Sequence, residues 1–222
     1  MKQPAYAHLA SRSDGLETRA HIIECAGRLI AERGFAQTTS KSICQAAQVN
    51  MAAVNYHFGS REGLYIAVLQ EVHDHLMSLE ELDALLGSPQ SSEEKITAFL
   101  RLYIVNVLQQ TNWYVEVWTR ELLTPSPQFM EIFNSNLPKF TIVVQLFAQY
   151  LELPRSDMRL YACIFGTMAP FMLIYLQHRS PIMQHLPDYF DRDDFLGKLE
   201  SYVLENLARY KKALPKNELK MN

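Results

Sequence analysis

Residues 39–58 hold two short helical runs separated by a turn of two or three residues, and this compression constrains everything packed beside them. Thr38 and Thr39 offer the side-chain oxygens that cap a helix beginning at Ser40 and ending at Ala46 or Ala47; Gln48 and Val49 make the turn; Asn50 caps a second run over 51–58. Helices joined this tightly cross steeply and need small residues at the crossing. Ala46 and Ala47 supply them, while Ile43, Val49, Val54 and Phe58 are the apolar contacts expected to lock the angle. Val54 and Phe58 are four apart and share the inward face, so Ala52 and Tyr56 point outward, with Met51 and Asn55 on the flanks.

The rest of the chain reads as helices too. Only eight glycines and ten prolines occur in 222 residues, and no stretch alternates apolar and polar residues with a strand's period of two. The expectation is an all-α protein of about nine helices. Residues 1–15 read as a flexible arm and 16–76 as the first domain, which opens with a helix over about 16–33 carrying the stripe Ile22, Ile23, Ala26, Leu29 and Ile30. Gly34 stops that helix, and after Gly59 the hydroxyl of Ser60 caps a longer one that starts at Arg61 and runs past Leu76. Residues 77–214 read as a second helical domain. Its runs are about 92–110, opened by the capping box from Ser91 to Glu94, then 113–123, 128–150 with a break or kink at Pro138, 156–178 and 193–212. Residues 215–222 read as a frayed tail.

The net charge of −3 looks wrong for a partner of nucleic acid until its distribution is followed. Seven basic and seven acidic residues balance through position 76, yet the stretch from Arg33 to Arg61 contains no acid. A local positive face on a mildly acidic protein suits a small DNA-binding module. The outward face of 51–58 has the chemistry for a major groove: Asn55 can pair bidentately with adenine, and Met51 or Ala52 can touch a thymine methyl. Tyr56 and His57 can donate to phosphates. Thr39, Ser40 and Lys41 at one helix start, and Ser60 and Arg61 at another, are placed to grip the backbone on either side.

The motifs Leu16-Glu-Thr-Arg19, Gly34-Phe35, Thr38-Thr39, Ile43-x-x-Ala46-Ala47-x-Val49 and Tyr56-His-Phe-Gly-Ser-Arg-Glu-Gly-Leu64 resemble the TetR family of bacterial repressors over the first third of the chain. The resemblance implies an all-helical homodimer that binds a double-stranded operator and a carboxy-terminal domain whose inducer releases the DNA. Gln48 stands where the family has a turn glycine, at a cost of about 1 kcal/mol of backbone strain. Asn55 replaces a common tyrosine, which leaves the operator sequence open, and Arg61 replaces the usual lysine. Arg120-Glu-Leu122 followed by Pro125-Ser-Pro127 resembles the CecR-like branch, which implies regulation of transport or drug-sensitivity genes.

The second domain is rich in large soft side chains that suit an apolar or aromatic ligand, and a plain core accounts for most of them. The candidate lining is Tyr103, Trp113, Trp118, Phe133, Phe165, Met168 and Met172, with Asn106, Gln109, Gln145 and His178 as polar contacts. Arg120 and Glu121 read as an internal ion pair rather than a ligand anchor. The runs 156–178 and 193–212 are apolar nearly all round or carry a long apolar stripe, so dimerisation is expected through these eighth and ninth helices.

Other classes are disfavoured. No GxSxG, HExxH or P-loop occurs, His73 and His75 diverge on their helix and are expected in solvent, and no cofactor or metal is implied. Cys25, Cys44 and Cys163 form no CxxC pair and read as buried small hydrophobes, with a redox role for Cys44 as the alternative. Residues 1–14 lack the apolar core of a signal peptide, and 160–176 is too short and too interrupted to span a bilayer, so a cytoplasmic protein without membrane contact is expected. The competing reading is a helical DNA-binding or scaffold protein without ligand control; a helical enzyme is a more distant one.

Overall fold

The computed structural model describes residues 6–106, 112–177 and 192–215, with side chains over 15–106, 112–172 and 194–215. Every regular element among the described residues is helical: α1 Tyr6–Arg33, a 3-10 turn Phe35–Gln37, α2 Ser40–Ala47, α3 Met51–Phe58, α4 Arg61–Leu76, α5 Leu79–Gly87, α6 Ser92–Ile104, α7 Trp113–Leu123, α8 Pro127–Ser135, α9 Leu137–Leu151, α10 Met158–Gln177 and α11 Arg192–Ala213.

Two expected runs are each divided, so the described residues alone hold eleven α-helices where about nine are expected for the chain. Ser78 accepts a hydrogen bond from the Glu81 amide at 3.1 Å, and Glu81 accepts one from the Ser78 amide at 3.0 Å, so a capping box restarts the chain as α5. At the second division, α8 ends at Asn136 and Pro138 falls in the first turn of α9, where its missing amide costs no helical hydrogen bond. Residues 6–15, expected within a flexible arm, are the opening turns of α1; residues 1–5 and 216–222 lie outside the described residues.

The chain forms two compact units whose limits differ from the contiguous 16–76 and 77–214 division. The first takes residues 1–76 together with 111–137, because α7 packs on α1 and α4, and α8 packs on α4. The contact with α1 is specific. Trp113 Nε1 donates to Glu24 Oε2 at 2.7 Å, and the indole lies on Gly27, where an added Cβ would stand 2.4 Å from the ring. The core of this unit joins Ile22, Ile30, Ile43, Val54, Leu64 and Leu69 to Val115 and Phe129.

The second unit holds α5, α6, α9 from Pro138, α10 and α11. Its core includes Leu82, Leu100, Leu160, Phe171 and Leu196, with Phe99 and Phe147 meeting edge to face at 5.9 Å. Among the described residues no helix is long and apolar enough to cross a membrane.

Gly27 and Gly197 test this packing in opposite directions. Gly27→Ala forces the indole of Trp113 outward and is expected to cost about 1–3 kcal/mol by overpacking. Gly197→Ala, in α11 with nothing within 4 Å of the new methyl, is expected to gain roughly 0.5–1 kcal/mol. Urea unfolding of the two variants measures both.

Candidate nucleic-acid interface

The helix pair forms from its caps outward. Thr39 accepts from the Ser42 amide at 3.1 Å and its own amide donates to Ser42 Oγ at 3.2 Å, so the amino end of α2 is closed by a serine in the place where a capping box more often has glutamate. The α2 carboxy end falls on Gln48 at φ 56°, ψ 35°, the left-handed conformation a glycine would take without strain. Asn50 Oδ1 accepts from the Ala53 amide at 2.9 Å and starts α3; Ser60 Oγ accepts from the Gly63 amide at 3.0 Å and starts α4. Gly63 has no alternative, since a Cβ there would lie 2.1 Å from the Phe58 carbonyl oxygen.

These turns aim α3. Val54 and Ile43 are buried, and Phe58 is half-buried against the domain. Met51, Ala52, Asn55 and Tyr56 stand in solvent, Tyr56 at 83% exposure, with His57 half-buried beside it. Lys41 and Thr39 are exposed and Ser40 is half-buried at the start of α2. The small residue at the crossing is Ala47; Ala46 faces outward. An exposed α3 surface without acids, flanked by two capped helix starts, has the shape and polarity to enter a groove between phosphate strands.

Arg61 does not sit where the phosphate reading put it. Its Nε donates to the Thr38 carbonyl at 2.9 Å and its Nη2 donates to the Phe35 carbonyl, while its guanidinium carbon stands 4.1 Å from the Phe35 ring centroid. The arginine therefore closes the turn before α2, because the carbonyls left over at the end of a 3-10 turn need donors. Phe35 is sandwiched, with Tyr65 stacked on its other face at 4.0 Å. The Tyr65 hydroxyl donates to Glu121, whose other oxygen accepts from the Ser126 amide at 2.7 Å. Burial and the adjoining carboxylate push the Tyr65 hydroxyl far above the ordinary tyrosine range.

Arg120 and Glu121 are likewise not the expected pair. Arg120 donates to the Ala31 and Glu32 carbonyls at 3.2 and 3.3 Å and caps α1, while Glu121 serves Tyr65 and Ser126. The sequence signal for both was visible as a charged dipeptide on an otherwise apolar run, but their partners lie some ninety and fifty-six residues away.

The expected ligand lining does not form one cluster. Trp113, Trp118 and Phe133 belong to the first unit, where Trp118 meets His73 edge to face at 4.7 Å and Phe133 is exposed on α8. His73 is thus buried rather than solvated, and His75 is half-buried, stacked on Tyr114 at 3.8 Å. In the second unit Tyr103 is buried and its hydroxyl donates to Met172 Sδ at 2.7 Å; burial raises its pKa. Asn106, Met168 and Met172 are half-buried, and Gln145 accepts from Arg155. Phe165 faces solvent at 65% exposure, a surface position and not a pocket wall. Gln109 and His178 lie outside the described residues.

The three cysteines are half-buried thiols rather than core residues, with burial raising those of Cys25 and Cys163. Among the described residues no group of three His, Cys, Asp or Glu side chains stands ready for a metal ion.

Residues 22–68 match the family model described as bacterial regulatory proteins, tetR family. The chain is 40% identical over 82 residues to the "Probable HTH-type transcriptional regulator ArpR" of Pseudomonas putida, an alignment spanning 34% of this chain and 39% of that relative. A longer alignment, 26% identical over 157 residues, joins it to the HTH-type transcriptional dual regulator CecR of Shigella flexneri and covers 66% of this chain and 70% of CecR. Among solved structures the fold matches AibR in complex with isovaleryl coenzyme A and operator DNA, with TM-score 0.62, 18% identity, and coverage of 85% of this chain and 97% of AibR.

Removal of the Arg61 side chain separates its bracing role from a phosphate contact. Arg61→Ala is expected to lose about 1–3 kcal/mol of stability, since the Thr38 carbonyl loses its side-chain donor and the Phe35 carbonyl keeps only the Thr38 amide. Urea unfolding measures that loss; a variant as stable as the parent contradicts the assignment.

Proposed function

The chain belongs to the TetR family through its amino-terminal module, and from that premise we propose that it is a transcriptional repressor that holds operator DNA as a homodimer and releases it on binding a small, largely apolar or aromatic molecule. One observation carries the DNA-binding part: α3 offers Met51, Ala52, Asn55 and Tyr56 to solvent between the capped starts of α2 and α4, in a stretch without acidic residues. In this reading Asn55 reads adenine, Met51 and Ala52 meet thymine methyls, and Tyr56, His57, Thr39, Ser40 and Lys41 hold phosphates. The operator DNA bound by AibR supports the same use of the fold.

The inducer is assigned to the second unit, where Tyr103, Met168 and Met172 supply adaptable apolar contacts and Asn106 a polar one. AibR's isovaleryl coenzyme A, whose acyl group is small and apolar, adds acyl-bearing molecules to the class to screen. The dimer is assigned to α10 and α11. Phe165 and Tyr202 are exposed at 65% and 64%, around the small residues Ala162 and Gly166, and a groove of about 480 Å³ runs between the two helices. An apolar face of that kind is covered when two copies form a four-helix bundle across a two-fold axis.

Selection of bound duplexes from a randomised library tests the groove reading. Asn55→Ala is expected to relax the preference at one base pair of each half-site, with a loss of about 1–3 kcal/mol of discrimination. An unchanged preference removes Asn55 from base readout. Sedimentation tests the dimer: the parent is expected to be dimeric at micromolar concentration and Phe165→Glu monomeric, whereas a folded monomeric parent overturns the interface.

A further inference from the structure

We infer that Arg19, on α1 and outside the helix-turn-helix, is a phosphate-gripping residue of the DNA interface, held at the end of α3 by the ring of Phe58. The inference rests on the DNA-binding reading above and names a contact which that reading does not contain.

The geometry begins with the ring. The guanidinium carbon of Arg19 lies 5.4 Å from the centroid of Phe58, the last residue of α3. Phe58 is 6.0 Å from the His57 ring, which in turn meets Tyr56 edge-on at 5.0 Å. Arg19 is exposed beside the carboxy end of α3.

Among the described residues charge accounting leaves it, with Lys41, without an acidic partner. Arg28 pairs with Glu24 at 2.6 Å, Arg33 stands 3.8 Å from Glu32, and Arg61 and Arg120 are committed to backbone carbonyls. Among the described residues Arg19 makes no ion pair. Glu17 is two positions away on the same helix, and residues so spaced do not face each other.

The location also suits a cation, since the carboxy end of α3 carries the negative end of its dipole and favours a positive group beside it. A guanidinium whose face rests on an aromatic ring keeps its N–H edge free for bidentate contact with phosphate oxygens. The ring also limits the side chain's rotamers in advance, so less freedom is lost on binding. Arg61, by contrast, spends its donors inside the protein.

The test uses the full-length chain and a duplex that the parent selects from a randomised library, titrated across a salt series. Parent binding is measured first; failure to bind any duplex at low salt overturns the DNA-binding reading itself. With parent binding in hand, Arg19→Ala is expected to bind the dimer's operator about sixtyfold more weakly at 0.1 M salt, with the slope of log K against log salt shallower by about 1.8, since one contact is lost in each half-site. The selected base preference is expected to be unchanged, and Arg19→Lys is expected to keep the parent slope. Arg19→Gln reads the same slope with a planar, uncharged group should the alanine variant melt early. A parent-like slope in both uncharged variants overturns the assignment, and so does an altered base preference.

Discussion

The geometry of the exposed α3 surface depends on how one turn is held. Between α1 and α2 the chain must reverse within a few residues; the Phe35 carbonyl accepts from the Thr38 amide at 3.1 Å, and the Thr38 carbonyl lies at the end of the turn. Arg61 donates to both carbonyls, and in doing so ties the first residue of α4 to the start of α2. Its guanidinium, the Phe35 ring and the Tyr65 ring form a continuous stack, so the turn is clamped by packing as well as by hydrogen bonds. With both helix starts fixed, α3 has little room to rotate, and Val54 buried at its centre sets which side faces out.

That clamp extends to residues distant in sequence. Glu121 receives the Tyr65 hydroxyl and the Ser126 amide, two donors for a carboxylate that would be costly to bury alone. Arg120, the next residue back, caps the carbonyls at the end of α1. Neighbouring residues of opposite charge thus serve two different ends of the same unit. With Trp113 seated on Gly27, they explain why α7 and α8 belong with α1 and α4 and not with the helices that flank them in the chain.

Legibility in the sequence followed the range of the interactions. Caps act over three residues, so Thr39, Asn50, Ser60 and Ser91 could be read directly, and each caps its helix. The Ser78–Glu81 box carries the same signal inside an apolar pattern that by itself reads as continuous. Gln48 in the left-handed region was likewise readable, since the turn has no other way to close. The outward face of α3 followed from helical spacing alone. Arg61, Arg120, Glu121, Trp113 and Trp118 were not readable in their roles: side chains able to bind a phosphate, a ligand or another part of the protein look identical until the fold brings a partner within about 3 Å.

The sequence by itself determined the helical class, the helix-turn-helix and the residues it turns outward, because these are set by periodicity and by contacts only a few residues apart. Only the tertiary structure decided that 111–137 joins the first unit, that Arg61 braces the turn, and that Arg19 lies over the ring of Phe58. Those outcomes depend on which distant groups meet, and the competition among donors for a buried carbonyl is resolved only once the helices are packed.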